Sequence, residues 1–137
     1  MCGIYGMFVV TDTKYSIRFL VNVLNEIATI SESRGKESSG FAFKDLESNE
    51  IRVIRSAMPV SDLMNEALYQ SQIIERMRQC YRNHPLAVIG HSRLVTNGSQ
   101  LEDHNNQPVI KDGIVAVHNG IVVNVNELWG EHSNLKR

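Results

Sequence analysis

Hydrophobic positions along the chain follow two periods, one of strands and one of helices. From Gly3 to Val10 the run is β-rich, with Ile4, Tyr5, Phe8, Val9 and Val10, and the polar cluster Thr11-Asp12-Thr13 closes it, which predicts a buried strand. From Ser16, the residues Ile17, Leu20, Val21, Leu24, Ile27 and Ala28 recur at helical spacing to near Ser31, with Arg18, Asn22 and Glu26 on the opposite, solvated face. Ser31 to Ser39 is polar, contains Gly35 and reads as a loop. It leads into Gly40-Phe41-Ala42-Phe43, a strand that Glu47-Ser48-Asn49 turns back into Ile51–Ile54.

A second helix is predicted from Ser61 as N-cap, with Met64, Ala67, Leu68, Ile74 and Met77 as its apolar stripe and Arg76, Arg78 and Arg82 in water. Asn83-His84-Pro85 stops it. Leu86 to Gly90 is a short apolar strand opening into a loop from His91 to Asn106. Gln107–Ile110 and Ile114–Val117 then flank Lys111-Asp112-Gly113, a hairpin on its Asp-Gly pair. Asn124-Val125-Asn126-Glu127 has the form of a capping box opening a last helix. The order strand, helix, hairpin, helix, strand, hairpin, helix is an α+β pattern without the regular alternation of a parallel sheet.

A length of 137 residues fits one domain, spanning 1–137, and 42% hydrophobic with 21% charged residues places the chain among globular proteins. Fourteen basic residues against fifteen acidic leave a net charge of −1, so no positive field gathers nucleic acid. No segment has the length or composition of a signal peptide or a membrane span, which predicts a soluble chain with no membrane partner. Cys2 and Cys80 form no CxxC pair, and a reduced, cytoplasmic setting is the expectation. His84, His91, His104, His118 and His132 show no metal-ligand spacing, so no metal and no cofactor is expected. Cys80 follows helical periodicity and is expected to pack as a small hydrophobe.

Cys2 is the first candidate for chemistry. Loss of Met1 would expose a thiol bearing its own α-amine, a group that titrates near ~7.7–8.0 and is therefore a usable base at neutral pH. Taken singly, Cys2 is only a small second residue, and His118-Asn119-Gly120 is only a turn after a strand. Arg93 alone reads as a structural ion pair.

Four ordered blocks change that picture. Met1-Cys2-Gly3-Ile4-Tyr5-Gly6, Ser33-Arg34-Gly35-Lys36-Glu37-Ser38-Ser39-Gly40, Gly90-His91-Ser92-Arg93-Leu94-Val95-Thr96-Asn97-Gly98 and His118-Asn119-Gly120-Ile121-Val122 together resemble the class II glutamine amidotransferases. The resemblance is strongest to the glutaminase domain of the glucosamine-6-phosphate synthases. Asn106-Gln107-Pro108-Val109 also looks like the amidotransferases of purine synthesis.

The resemblance implies an N-terminal-nucleophile hydrolase fold, an αββα four-layer sandwich, of which this chain is the N-terminal portion, incomplete at its C-terminus. It implies that Cys2, freed by loss of Met1, attacks the side-chain amide of L-glutamine, releases ammonia and leaves a glutamyl thioester for water to cleave. Asn119 and Gly120 would form the oxyanion hole, with Gly120 also lying against the substrate. Arg93 would grip the α-carboxylate, Thr96 would contact the same end, and Arg34 with Gly35 would support the nucleophile. The implied partner is an ammonia-accepting synthase domain or subunit acting on a molecule such as a sugar phosphate.

Two residues depart from the synthase pattern: Leu94 replaces a tryptophan and Asn97 a histidine. The family's Ser-Asp-Thr-Glu segment, whose aspartate binds the α-amino group of glutamine, has no counterpart in these 137 residues. Two rival readings follow. One is a non-catalytic remnant or split-gene module that needs a partner chain, and the other is a hydrolase of the same fold acting on a different amide.

Overall fold

The computed structural model describes the chain apart from residues 11–12, 82–84, 96–97, 99–100, 102–104 and 136–137 and the side chains of 79–81. Its elements are β1 (Gly3–Val9), α1 (Ile17–Glu32), β2 (Ser38–Asp45), β3 (Ile51–Ser56), α2 (Val60–Asn65), α3 (Ala67–Tyr81), β4 (Leu86–Arg93), β5 (Val109–Lys111), β6 (Ile114–Ala116) and α4 (Val125–Glu131). The fold is α+β, as its sequence pattern predicts. Four strands form an antiparallel sheet in the order β1-β4-β2-β3, so β4 lies between β1 and β2. β5 and β6 pair in a separate hairpin. Its turn places Asp112 and Gly113 at φ 52° and 78°, the left-handed region that a two-residue hairpin turn requires.

One face of the sheet carries the core. Strand residues alternate across the pleat, and Tyr5, Val9, Phe41, Phe43, Leu86 and Val88 are all buried there under α1, α2 and α3. α1 starts where Ser16 Oγ accepts from the Phe19 amide, and it buries Leu20, Leu24, Ala28 and Ser31. The Phe41 ring is the centre of an aromatic cluster: edge-on to Tyr5 at 5.5 Å, 4.9 Å from Tyr69 and 6.0 Å from Phe43. Burial pushes the Tyr5 and Tyr69 phenols well above their ordinary range.

The predicted second helix is two helices. Glu66 is extended (φ −66°, ψ 133°) and separates α2 from α3, which resets the helical phase. The buried stripe of α3 is therefore Tyr69, Ile73, Arg76 and Met77, while the predicted stripe residue Leu68 is 62% exposed. Ser61 is not the cap, since the helix begins at Val60 behind Pro59; the Ser61 amide instead donates to Glu32 Oε2 of α1 at 2.8 Å. Arg76, expected in water, is 5% exposed and pairs with Glu50 at 3.0 Å. At α4, Asn124 makes no side-chain capping bond, so the capping box predicted there does not form. Cys80 has its backbone in α3, and its packing lies outside the described residues.

β1 is a strand, as predicted, but it is buried on one side only. Ile4 and Phe8 are 47% and 60% exposed because the helices cover just the face to which Tyr5 and Val9 point. On the opposite face the described residues supply partial cover, from the β5–β6 hairpin and the segment around Pro108. Gly40 makes that segment possible: a Cβ there would sit 2.2 Å from the Gln107 carbonyl oxygen.

Phe41→Ala removes the ring on which the other three aromatic groups close. It is expected to destabilise the fold by about 3–5 kcal/mol, measured as a shift of the urea midpoint. A loss below about 1 kcal/mol would show that the aromatic cluster is not the centre of the core.

Candidate active site

Cys2 precedes β1 by one residue and is half-buried, while Met1 is 73% exposed. The Cys2 thiol donates to the Leu94 carbonyl at 3.7 Å. Arg34, just past α1, lies at the mouth of this corner, with its guanidinium 4.0 Å from the Met1 sulfur.

β4 brings the other groups. It runs to Arg93 and is longer than the sequence predicts, so His91, Ser92 and Arg93 are strand residues and not part of a loop. Backbone pairing explains the difference, because Gly3 and Ser39 both stand opposite Ser92, and Ser38 opposite Arg93. Side chains therefore alternate. Ser92 points to the helices and shares a buried 2.7 Å hydrogen bond with Ser31 of α1. His91 and Arg93 point to the other face. Gly35 lets the loop after α1 close on this strand end, since a Cβ there would lie 2.3 Å from the Arg93 carbonyl carbon. The Glu37 amide then donates to the Arg93 carbonyl at 3.1 Å.

Arg93 is 7% exposed, and its Nη1 donates to Asn106 Oδ1 at 3.0 Å. Asn106 is itself buried, and its carbonyl accepts from Arg55 at 3.4 Å. The next residue, Gln107, uses its side-chain amide on His118: Nε2 donates to the His118 carbonyl at 3.1 Å, and Oε1 accepts from the His118 amide. Asn119 repeats this pattern on the nucleophile candidate. Its Oδ1 accepts from the Cys2 amide and its Nδ2 donates to the Cys2 carbonyl, both at 3.0 Å. One Nδ2 hydrogen is used in that contact, and a carboxamide carries two.

A cavity of about 250 Å³ opens between these groups, with Cys2, Arg93, Leu94, Asn105, His118 and Gly120 in its wall. A recess with Cys2 and Arg93 both in its wall suits a small molecule carrying a carboxylate. The structure thus brings Cys2, Arg93, Asn119 and Gly120 into one corner, with Arg34 and Gly35 on its flank. Thr96, His84 and His104 lie outside the described residues. Among those described, no group of three or more His, Cys, Asp or Glu side chains gathers as a metal site. Gln107 and Asn106 are the site's unexpected members. The sequence flagged Asn106-Gln107-Pro108-Val109 only as a motif match and gave neither amide a role, since an amide pair before a proline does not distinguish a loop from a brace.

The matches to known proteins are consistent with this corner. The glutamine-fructose-6-phosphate aminotransferase (isomerizing) of Xylella fastidiosa is 34% identical over 124 residues, which is 90% of this chain and 17% of the relative. Those of Wigglesworthia glossinidia brevipalpis and Salmonella paratyphi A are 31% and 30% identical over 99% and 90% of the chain. This chain is a relative of the glutamine amidotransferases. It spans 17% to 19% of the length of these relatives. No family model matches it.

His91 is fully buried beside Arg93, and among the described residues neither ring nitrogen makes a hydrogen bond of good geometry. Burial first, then the charge of Arg93, push its pKa down to about 4, with the His118 main chain pulling less strongly the other way. The ring is neutral at pH 7. Its folded value lies below its unfolded value, so between about 4 and ~6.5 the unfolded chain binds more protons and stability falls as the pH falls. The urea midpoint should drop across that window by an amount equivalent to about 3 kcal/mol. His91→Gln should lose that part of the slope, and an unchanged slope would show that His91 titrates normally.

Proposed function

We propose that residues 1–137 are the N-terminal part of a type-2 glutamine amidotransferase domain that hydrolyses L-glutamine through Cys2 after loss of Met1. The observation that carries this reading is the double hold of Asn119 on the Cys2 main chain, at the rim of a cavity that also contains Arg93 and Gly120. With Met1 gone, the Cys2 amide becomes an α-amine that takes the thiol proton. The thiolate adds to the side-chain carbonyl carbon of glutamine, and the negative charge that develops on oxygen meets the free Nδ2 hydrogen of Asn119 and the Gly120 amide. Collapse expels ammonia, protonated by the ammonium just formed. The same amine then draws a proton from the water that cleaves the thioester, and glutamate leaves. Arg93 receives the substrate carboxylate, with one donor already tied to Asn106 and the planar fork held rigid by it. Thr96 contacts the same end, and Arg34 and Gly35 support the nucleophile.

The ammonia passes to an acceptor such as a sugar phosphate on a synthase domain or subunit, in keeping with the fructose 6-phosphate in the relatives' name. A reducing, cytoplasmic setting keeps the thiol free. A second reading, that the site works only once further polypeptide completes a four-layer αββα sandwich, is favoured by the apolar side chains bare on the open side. On the face of β1 away from the helices, Ile4 and Phe8 are 47% and 60% exposed.

The test is intact mass before and after incubation with an electrophilic glutamine analogue. Loss of Met1 and one adduct are expected, absent in Cys2→Ala and retained in Cys80→Ala. The labelling rate should rise with pH and level off above ~8 as the α-amine loses its proton. A processed, folded chain that takes no adduct overturns the reading. Asn119→Ala should lower kcat by ~10²–10³ through loss of one oxyanion donor, and an unchanged kcat would remove Asn119 from that role.

A further inference from the structure

The proposed chemistry leaves Gln107 without a role, although its side chain makes two hydrogen bonds to one residue. Gln107 Nε2 donates to the His118 carbonyl and Oε1 accepts from the His118 amide, so the carboxamide pairs with that residue's main chain as a neighbouring strand would. His118 is followed directly by Asn119 and Gly120, the two residues given to the oxyanion. It otherwise lies on an exposed stretch that follows β6 by two residues, with the buried His91 ring also against its main chain.

Gln107 in turn cannot drift. Its carbonyl oxygen lies flat over Gly40 of β2, at a distance that leaves no room for a Cβ. Its predecessor Asn106 is held by Arg93 through Oδ1 and by Arg55 through the carbonyl, and is 1% exposed. Its successor Pro108 is also fully buried. The rigid sheet therefore fixes residues 106–108, Gln107 passes that fixity to His118, and Asn119 passes it to Cys2.

We infer that Gln107 is a positioning residue: its carboxamide fixes the His118 main chain and so aims the Asn119 side chain and the Gly120 amide at the carbonyl oxygen of the bound glutamine. This rests on the reading of the site given above. Both functions of the carboxamide are needed, because one partner is a donor and the other an acceptor. Gln107→Glu keeps the shape and the acceptor but turns an oxygen toward the His118 carbonyl, where two acceptors repel. Gln107→Met keeps the shape and loses both bonds. Neither change touches the thiol or its amine, and neither removes the donors of Arg93.

The experiment uses the full chain with Met1 removed, as wild type, Gln107→Glu and Gln107→Met. It measures glutamate release from L-glutamine and, separately, alkylation of Cys2 by iodoacetamide as a function of pH. Alkylation by iodoacetamide needs a thiolate but develops no charge on a carbonyl oxygen, so it does not call on Asn119 or Gly120. The inference expects kcat to fall by roughly 10²-fold in both variants, with KM for glutamine within a few-fold of wild type and the pH profile of alkylation unchanged. Thermal unfolding of each variant is followed in parallel, and Gln107→Met supplies the answer if the charge of Gln107→Glu prevents folding. A kcat like that of wild type, or a rise in KM alone, overturns this inference and leaves the glutaminase reading standing. A fall in alkylation equal to the fall in turnover also overturns it, because the residue would then support the whole corner and not the oxyanion donors. If wild type itself releases no glutamate, both the reading and the inference fall together.

Discussion

Everything in this molecule that bears on chemistry depends on the two-residue alternation of β4. Flanked by β1 and β2, this strand has to serve a hydrophobic core on one side and a polar recess on the other. Val88, Gly90 and Ser92 face the helices, and Gly90 in particular leaves the space into which the Tyr5 ring fits. His91 and Arg93, one position out of phase, point to the other face, where Arg93 lines the recess. A slip of one residue in pairing would exchange the two sets and place a guanidinium among Phe41, Tyr5 and Leu24. The register is held by its neighbours: a serine pair to α1 on one face and the Arg93 guanidinium donating to Asn106 Oδ1 on the other.

Much of the architecture was legible in the sequence because it rests on period and turn chemistry. The α1 stripe, the Asp112-Gly113 turn and the strand at the start of the chain all follow from local preference. The break at Glu66 was not legible, because a residue with good helix propensity is extended there and only tertiary packing of Tyr69, Ile73 and Met77 accounts for it. Arg76 was read as solvated for a similar reason. Nothing in its own segment announces Glu50, which reaches it from the turn before β3. The length of β4 was underestimated because His91, Ser92 and Arg93 are polar, and a polar run after an apolar strand looks like a loop until its partners Gly3, Ser38 and Ser39 are known.

The site itself was legible to a different degree. Cys2 was a candidate from its place after Met1, while Arg93, Asn119 and Gly120 entered through the resemblance of four motif blocks, and the structure brings those four residues into one corner. What no motif carried is how they are held. Two carboxamides, Gln107 on His118 and Asn119 on Cys2, do with side chains what a sheet does with backbone, and they do it across loops where no strand is present. Such pairs leave a weak trace in a sequence, since Asn and Gln are common in loops for many other reasons.

The contact between Asn119 and Cys2 joins residues 117 positions apart. A bond of that span cannot form early. Closing so long a loop costs entropy that only a finished core offsets, so this contact belongs to the last events of folding. The reactive corner is thus assembled only after the sheet has paired and the helices have docked. While the polypeptide is still leaving the ribosome it carries an ordinary cysteine, and no residue 119 has yet been made to hold it.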